Sequence, residues 1–328
     1  MLASIQKIIS IHPIENADKI ELAKVLGWQV VVEKGLYNPG DMCVFIEIDT
    51  IVPDKPDFEF LRNKNFRVKT IRLRGALSQG IIFPAKIVPP HFEGDDVTEL
   101  LGIKKYEKPI PLAMRGVIRG NFPGFVPKTD ETRIQAVPRL LCEMKGLICV
   151  STVKMDGTSA TYIHKDGDYH VCSRNMSFKL TEENKGNVYI EVGKKYGLPE
   201  KLGALGNYAV QGEICGPSVQ KNRAGLKEID LFVFNIYNID EARYLDGDEM
   251  GEMIDKLELK SVPVLEGFVF DYKSMDCILK SAEGYYKGTK NRREGIVIRP
   301  IKEQYSAVLK GRMSFKVVNN EYLLKDEE

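Results

Sequence analysis

The stretch VSTVKMDGTSATY, residues 150–162, reads as a buried strand that enters a tight turn and leaves as a second strand. Val150 and Val153 lead into Lys154, and Asp156, Gly157 and Thr158 follow at once. An ammonium group at such a strand end is either a capped surface charge or a nucleophile held in a pocket. The second reading needs a lowered pKa, because at the reference value of roughly 10.4 only about one lysine in a few thousand is neutral at pH 7. It also needs nearby cations or a metal, and a substrate with a leaving group.

Four further segments supply charged groups. VQGEICGPSVQKN (210–222) holds Glu213 on a strand before a Gly-Pro turn. HVCSRNMSF (170–178) presents Arg174 and Asn175 at a strand end, and KNRREGIVIRP (290–300) opens a strand with Glu294. VLKGRMSFKVVNN (308–320) carries Lys310, Arg312 and Lys316. If 310–316 form one strand, equal parity puts the three cations on one face.

Around these segments the chain alternates strands and helices without a regular βαβ repeat, which predicts an α+β domain with antiparallel sheets flanked by helices. Strands are expected near 148–155, 159–163, 169–173, 208–215, 231–237, 294–299 and 313–318. Helices are expected near 133–143, 183–196, 247–258 and 274–284. The amino-terminal part, from Ile5 to about Val88, shows short β-rich runs such as WQVVV (28–32) and MCVFIEI (42–48), with turn signals at Asn38-Pro39-Gly40-Asp41 and Pro53-Asp54. It predicts a small barrel of the OB type, with a helix around Asp18 to Leu26. The division expected is an OB domain over 1–100, a Pro-, Gly- and base-rich linker over 101–125 and a catalytic domain over 126–328.

Within the barrel, RNKNFRVKTIRLR (62–74) carries Arg62, Lys64, Arg67, Lys69, Arg72 and Arg74. On strands this spacing either lines a groove that tracks a phosphate backbone or makes a charged edge that discourages strand pairing.

Composition bounds the partners. The chain has 328 residues, 43% hydrophobic and 28% charged, with a formal net charge of +1, so any nucleic-acid contact must be local. No run of eighteen apolar residues occurs, so no membrane span is expected. Cys43, Cys142, Cys149, Cys172, Cys215 and Cys277 lack a CxxC pair and read as reduced thiols in a cytoplasmic protein. His12, His91, His164 and His170 show no ligand spacing.

Taken in order, Lys154-Met155-Asp156-Gly157, Ser173-Arg174-Asn175, Gly212-Glu213, Leu231 to Phe234, Glu294 to Ile298 and Lys310 to Lys316 resemble motifs I, Ia, III, IIIa, IV and V of the covalent nucleotidyltransferases. GEICGPSVQKN with DLFVFNIY is similar to the RNA ligases of that superfamily. The OB-like part precedes the catalytic part and twelve residues follow Lys316, as in the fifth type of RNA ligase; TDETRIQ (129–135) also looks like that family.

The resemblance implies an ATP-dependent RNA ligase that joins 3′-hydroxyl and 5′-phosphate ends through lysyl-AMP and an adenylylated RNA end, acting as a monomer. It implies Lys154 as the nucleophile, and Asp156, Glu213 and Glu294 around a divalent metal, magnesium or manganese. Arg174 would hold the ribose or an RNA phosphate, Phe234 would stack on adenine, Lys310 and Lys316 would face the α-phosphate and Arg133 the pyrophosphate. Ser314 departs from the pattern where a second lysine often stands. Two other readings stay open. HPIENADKIELAKV (12–25) also looks like a tRNA-binding OB module on an inert ligase domain, and the same motifs serve a DNA ligase.

Overall fold

Ala3–Pro13 is a long strand paired on one edge with Ile20–Val25 and on the other with Met42–Ile46. With Trp28–Glu33 and Ile81–Pro84 at the outer positions, these strands form a five-stranded antiparallel sheet. A register shift between Ile8 and Ser10 curls it, as an extra residue in one strand of a pair does. The curl wraps around Trp28, Phe45, Ile5 and Ile8, all essentially inaccessible to solvent. This is the OB-type half-barrel that the β-rich runs predict.

The helix expected around Asp18 to Leu26 is instead the strand Ile20–Val25. Leu, Ala and Lys favour helices, but cross-strand pairing on both sides overrides that preference. Leu26, at φ 52°, and Gly27 then turn the chain directly into Trp28.

The computed structural model describes residues 1–107 and 117–325. Positions 108–116 of the expected linker lie outside the described residues. The described residues divide into two units. The first contains the chain up to 107, Ile134–Pro138 and the last turn from Leu323; the second contains 117 to Arg133 and Arg139–Tyr322.

The second unit carries the VSTVKMDGTSATY stretch and two antiparallel-rich sheets. Thr158–Lys165 and Tyr208–Cys215 pair at the centre of an eight-stranded sheet, flanked by Asp168–Ser173 and Asp230–Asn238. Ile148–Lys154 lies in a five-stranded sheet between Val264–Val269 and Gly295–Pro300, with Phe315–Val318 next in order. Central placement explains its apolar interior: Cys149 and Val153 are buried among neighbours on both sides.

Helices cover the larger sheet, and local chemistry sets their ends. Asn187 caps Val188–Lys195 by accepting from the Tyr189 N–H. Asp246 and Glu249 form a reciprocal capping box on Gly247–Leu257. The helix expected over 133–143 breaks into a short 3₁₀ turn, Ile134–Ala136, and one α turn, Leu140–Glu143. Pro138 lacks an N–H and disfavours the α conformation in the residue before it. Leu198–Leu205, with Pro199 in its first turn, is a further helix that periodicity did not reveal. Among the described residues no helix is long and apolar enough to cross a membrane.

Candidate active site

Ile148–Lys154 and Gly295–Pro300 run antiparallel with Lys154 opposite Gly295, so Lys154 and Glu294 emerge side by side where both strands end. The Lys154 Nζ lies 2.7 Å from Glu294 Oε1, with both side chains about one-fifth to one-quarter exposed. Thr158–Lys165, returning from the same turn, pairs with Tyr208–Cys215 and sets Ser159 opposite Glu213. The turn is tight enough to require glycine: a Cβ at Gly157 would fall 2.2 Å from the Ile214 carbonyl oxygen. Gly295 is equally constrained, at φ 155° with a Cβ position 2.2 Å from the Val317 carbonyl oxygen.

The electrostatics follow from this convergence. Burial pushes the Glu213 carboxyl up to about 8, Lys154 opposes the rise, Glu294 and Asp156 add to it, and the Gly157 N–H donates to the carboxylate. Burial alone would lower Lys154, but Glu294, Glu213 and Asp156 outweigh it and hold the ammonium above its ordinary value. Lys316 is pushed down to about 7 by burial, with Arg133 and Lys154 beside it. Asp156 faces Arg223, whose Nε lies 3.6 Å from Asp156 Oδ2.

Among the described residues no three His, Cys, Asp or Glu side chains stand close enough to hold a metal ion by themselves. The donor chemistry nonetheless fits a hydrated divalent cation. Asp156, Glu213 and Glu294 are hard oxygen groups, the first and last near enough to raise the pKa of Glu213, and such crowded carboxylates gain from a cation that keeps its own waters.

Comparison with known proteins gives the family. An RNA ligase family model matches residues 148–318 and an OB-fold domain model matches residues 2–85. The apo form of a Naegleria gruberi RNA ligase mutant superposes with a TM-score of 0.89 at 36% identity, covering 99% of this chain and 98% of that one. A mutant of the same ligase with ATP and Mn matches at 0.89 and 35%, covering 100% and 99%. The ligase with pyrophosphate matches at 0.88 and 35%, covering 99% and 98%. The chain belongs to the RNA ligase family. No curated protein sequence matches it significantly.

Other residues of this RNA ligase expected at the site are distributed unevenly. Arg174, 45% exposed, forms an ion pair with Asp130, a residue of the TDETRIQ segment. Arg133 is the strand neighbour of Lys316 through the parallel pairing of Thr132–Arg133 with Phe315–Val318. Phe234 is half-buried against the cluster of Val153, Met155, Cys215, Val262 and Tyr286. Phe232 is half-buried beside it on the same strand face.

The expectation of one strand over 310–316 fails. Gly311–Arg312 belongs to a separate hairpin with Tyr305–Ser306, and the sheet strand begins only at Phe315. Lys310 stands exposed in the left-handed region at φ 52°. Arg312 turns to Glu303 and to Asn235, 2.6 Å from its Oδ1. The break at Met313-Ser314 resets the parity, so only Lys316 of the three faces Lys154. Ser314 itself donates to Glu131 at 2.8 Å.

Sequence reasoning missed Arg223 and Tyr286. Arg223 directly follows the quoted GPSVQKN run, whose charge gave no pairing signal. The Tyr286 hydroxyl donates to the Lys154 carbonyl at 3.1 Å and accepts from the Glu294 N–H at 3.2 Å, bridging the two strand ends.

In the OB unit the cationic run does not make one row. Arg62 is occupied by Asp54 and Glu59. Arg67 lies 3.4 Å from Asp49 and stacks 3.6 Å from the Tyr106 ring centre. Lys69 is half-buried between the Arg67–Val68 and Thr70–Leu73 strands, which belong to different sheets. Arg72 and Arg74 are exposed near the tip of the Thr70–Gln79 hairpin, where Arg72 donates to the Gly75 carbonyl.

Proposed function

We propose that Lys154 is the residue through which this ATP-dependent RNA ligase takes AMP from ATP. The observation that carries the reading is the Lys154–Glu294 pair at the shared end of two central strands, with Glu213, Asp156 and Lys316 electrostatically coupled to it. The Lys154 amine attacks the α-phosphorus; a P–N bond forms, the bond to pyrophosphate breaks, and the amine sheds its protons. An RNA 5′-phosphate oxygen then attacks the same phosphorus and releases Lys154. A 3′-hydroxyl finally attacks that 5′-phosphate, closing the phosphodiester and expelling AMP.

Each side chain has a part in this sequence. Glu294 orients the Lys154 ammonium before attack. Lys316, with its depressed pKa and its place beside Arg133, faces the phosphates and opposes a second positive charge at Lys154. Arg133 reaches the pyrophosphate, Arg174 the ribose or an RNA phosphate, and Phe234 offers a flat face to adenine. Lys310, exposed on its turn, has no part at the α-phosphate in this reading. Asp156, Glu213 and Glu294 would hold a divalent cation, which would supply phosphate screening and offset the carboxylate field that keeps Lys154 protonated.

The OB unit is proposed to contribute RNA contacts through Arg72 and Arg74, with Arg67 and Lys69 serving its folding. The boundaries 1–100, 101–125 and 126–328 remain our functional division. Monomeric action on RNA carrying 3′-hydroxyl and 5′-phosphate ends, inside a reducing compartment, completes the reading; all six cysteines are free thiols.

The test is incubation with ATP labelled at the α-phosphate and with Mg or Mn, followed by joining of RNA and DNA strands. Label on the parent chain but not on Lys154→Ala, with RNA joined, is expected. Label retained by Lys154→Ala overturns the assignment, and joining confined to DNA overturns the RNA preference.

A further inference from the structure

The segment GYYKGTKNRR, residues 284–293, contains four cations and no acid, in a chain whose formal net charge is only +1. It leads into Glu294. A charged loop of this kind is usually a solvated surface, so what distinguishes it is how it is built and what its inner side holds.

Its conformation is fixed from within. Tyr286 is buried, and its hydroxyl ties the Lys154 carbonyl to the Glu294 N–H. The Thr289 hydroxyl donates to the Tyr286 carbonyl and accepts from the Asn291 N–H, closing the turn. Asn291 donates to the Arg223 carbonyl at 2.8 Å, and Arg223 faces Asp156. Arg293 folds back on the carbonyls of Ser281, Ala282 and Glu283. A loop braced at this many points keeps its outer groups in place before a ligand arrives, which lowers the entropy lost on binding.

Its outer side presents a different set. Lys287 and Lys290 are exposed, Tyr285 is 55% exposed, and the Arg292 guanidinium lies 5.6 Å from the Tyr285 ring centre. Two free-standing ammonium groups suit successive phosphates, and an exposed tyrosine flanked by an arginine suits an unstacked base. An acidic peptide would use the cations but leave the ring without a planar partner.

We propose that the loop 285–292 binds the backbone of the RNA strand whose 5′-phosphate receives AMP, with Lys287, Lys290 and Arg292 on phosphates and Tyr285 against a base. The proposal rests on Lys154 being the AMP acceptor. Through Tyr286, the loop that grips the strand is tied to the strand end that carries the nucleophile. This holds the 5′-phosphate near lysyl-AMP without either depending on the OB unit.

The test uses the full chain with Lys287→Gln, Lys290→Gln and Arg292→Gln combined, and separately Tyr285→Ala. Two quantities are read: lysyl-AMP formation from labelled ATP, and affinity for a nicked RNA duplex and for single-stranded RNA across a salt series. Lysyl-AMP formation should stay within about twofold of the parent. RNA affinity should fall roughly tenfold or more at moderate salt, and the slope of log affinity against log salt should drop by about two for single-stranded RNA and by nearly three for the duplex, since each of the three phosphate contacts contributes about 0.7 on a single strand and about 0.9 on a duplex. Tyr285→Ala should weaken single-strand binding by roughly tenfold with the slope unchanged. Parent-like affinity and slope in the triple variant overturn the proposal, as does equal loss of lysyl-AMP formation, which would make the loop part of the nucleotide site. Failure of the parent chain itself to form lysyl-AMP would instead overturn the function proposed above.

Discussion

The Lys154 ammonium and the Glu294 carboxylate, 140 residues apart in sequence, meet at 2.7 Å because the strands that carry them pair with Lys154 opposite Gly295. Glu294 therefore helps to hold the Lys154 ammonium above its ordinary pKa. Lys154→Ala should abolish label transfer from ATP, and Glu294→Ala should lower it by roughly 10²-fold or more. Glu294→Gln should restore little, since the amide cannot supply the charge. Rates near the parent's for Glu294→Ala, measured by single-turnover labelling, would remove it from the site.

Glu213 and Lys316 give stability opposite pH dependences. Glu213 is raised to about 8 in the folded chain, so its contribution is present below pH 4.5 and is lost as pH rises toward about 8. Lys316 is lowered to about 7, so its contribution is present above pH 10.5 and is lost as pH falls toward about 7. Glu213→Gln should remove the first loss, leaving the variant about 1–3 kcal/mol more stable than the parent at pH 8. Urea melts at pH 5 and pH 8 check this: an equal difference at both values would contradict the shift.

Tyr286→Phe removes one hydroxyl and leaves the Lys154 carbonyl and the Glu294 N–H without it. The expected cost is about 1–3 kcal/mol of stability, because both backbone groups lose a buried partner. Lysyl-AMP formation should slow by roughly tenfold through kcat with KM for ATP little changed, since the ring itself still packs. A purely structural role would lower stability without moving the single-turnover rate.

Chelation of divalent metal should stop lysyl-AMP formation, and Mg or Mn should restore it. Glu213→Ala should raise the metal concentration needed for half-maximal labelling by roughly tenfold or more. An unaltered metal requirement in that variant would place the cation elsewhere.

In the OB unit, Arg67→Ala should destabilise the fold, because its guanidinium stacks on Tyr106 and faces Asp49. Arg72→Ala with Arg74→Ala should leave the melting temperature unchanged and reduce the salt dependence of RNA joining. Thermal melts and a salt series on the two variants separate these roles; the reverse pattern would exchange them.

Much of this ligase was legible in its sequence. A strand ending in Lys-Met-Asp-Gly, a glutamate before a Gly-Pro turn and a glutamate opening an apolar strand are local patterns, written by alternation and turn chemistry that act over a few residues. The OB strands were legible for the same reason, with Ile20–Val25 the exception because its helix-favouring residues are overruled by pairing on both sides.

What only the tertiary structure decided depends on register and on contacts between distant segments. The break at Met313-Ser314 removes Lys310 and Arg312 from the face that holds Lys316, and parity along the sequence could not reveal a break between strands. The cations from Arg62 to Arg74 separate because acids at Asp49, Asp54 and Glu59 and a change of sheet divide them. Tyr286 reaches the Lys154 carbonyl across 132 residues, and Arg223 finds Asp156 with several strands and two helices between them, so neither left a short-range signal. The sequence by itself determined which charged groups are candidates for the chemistry; the pairing of strands decided which of them meet, since a charge acts over a few ångströms and the chain must fold before those are measured in space.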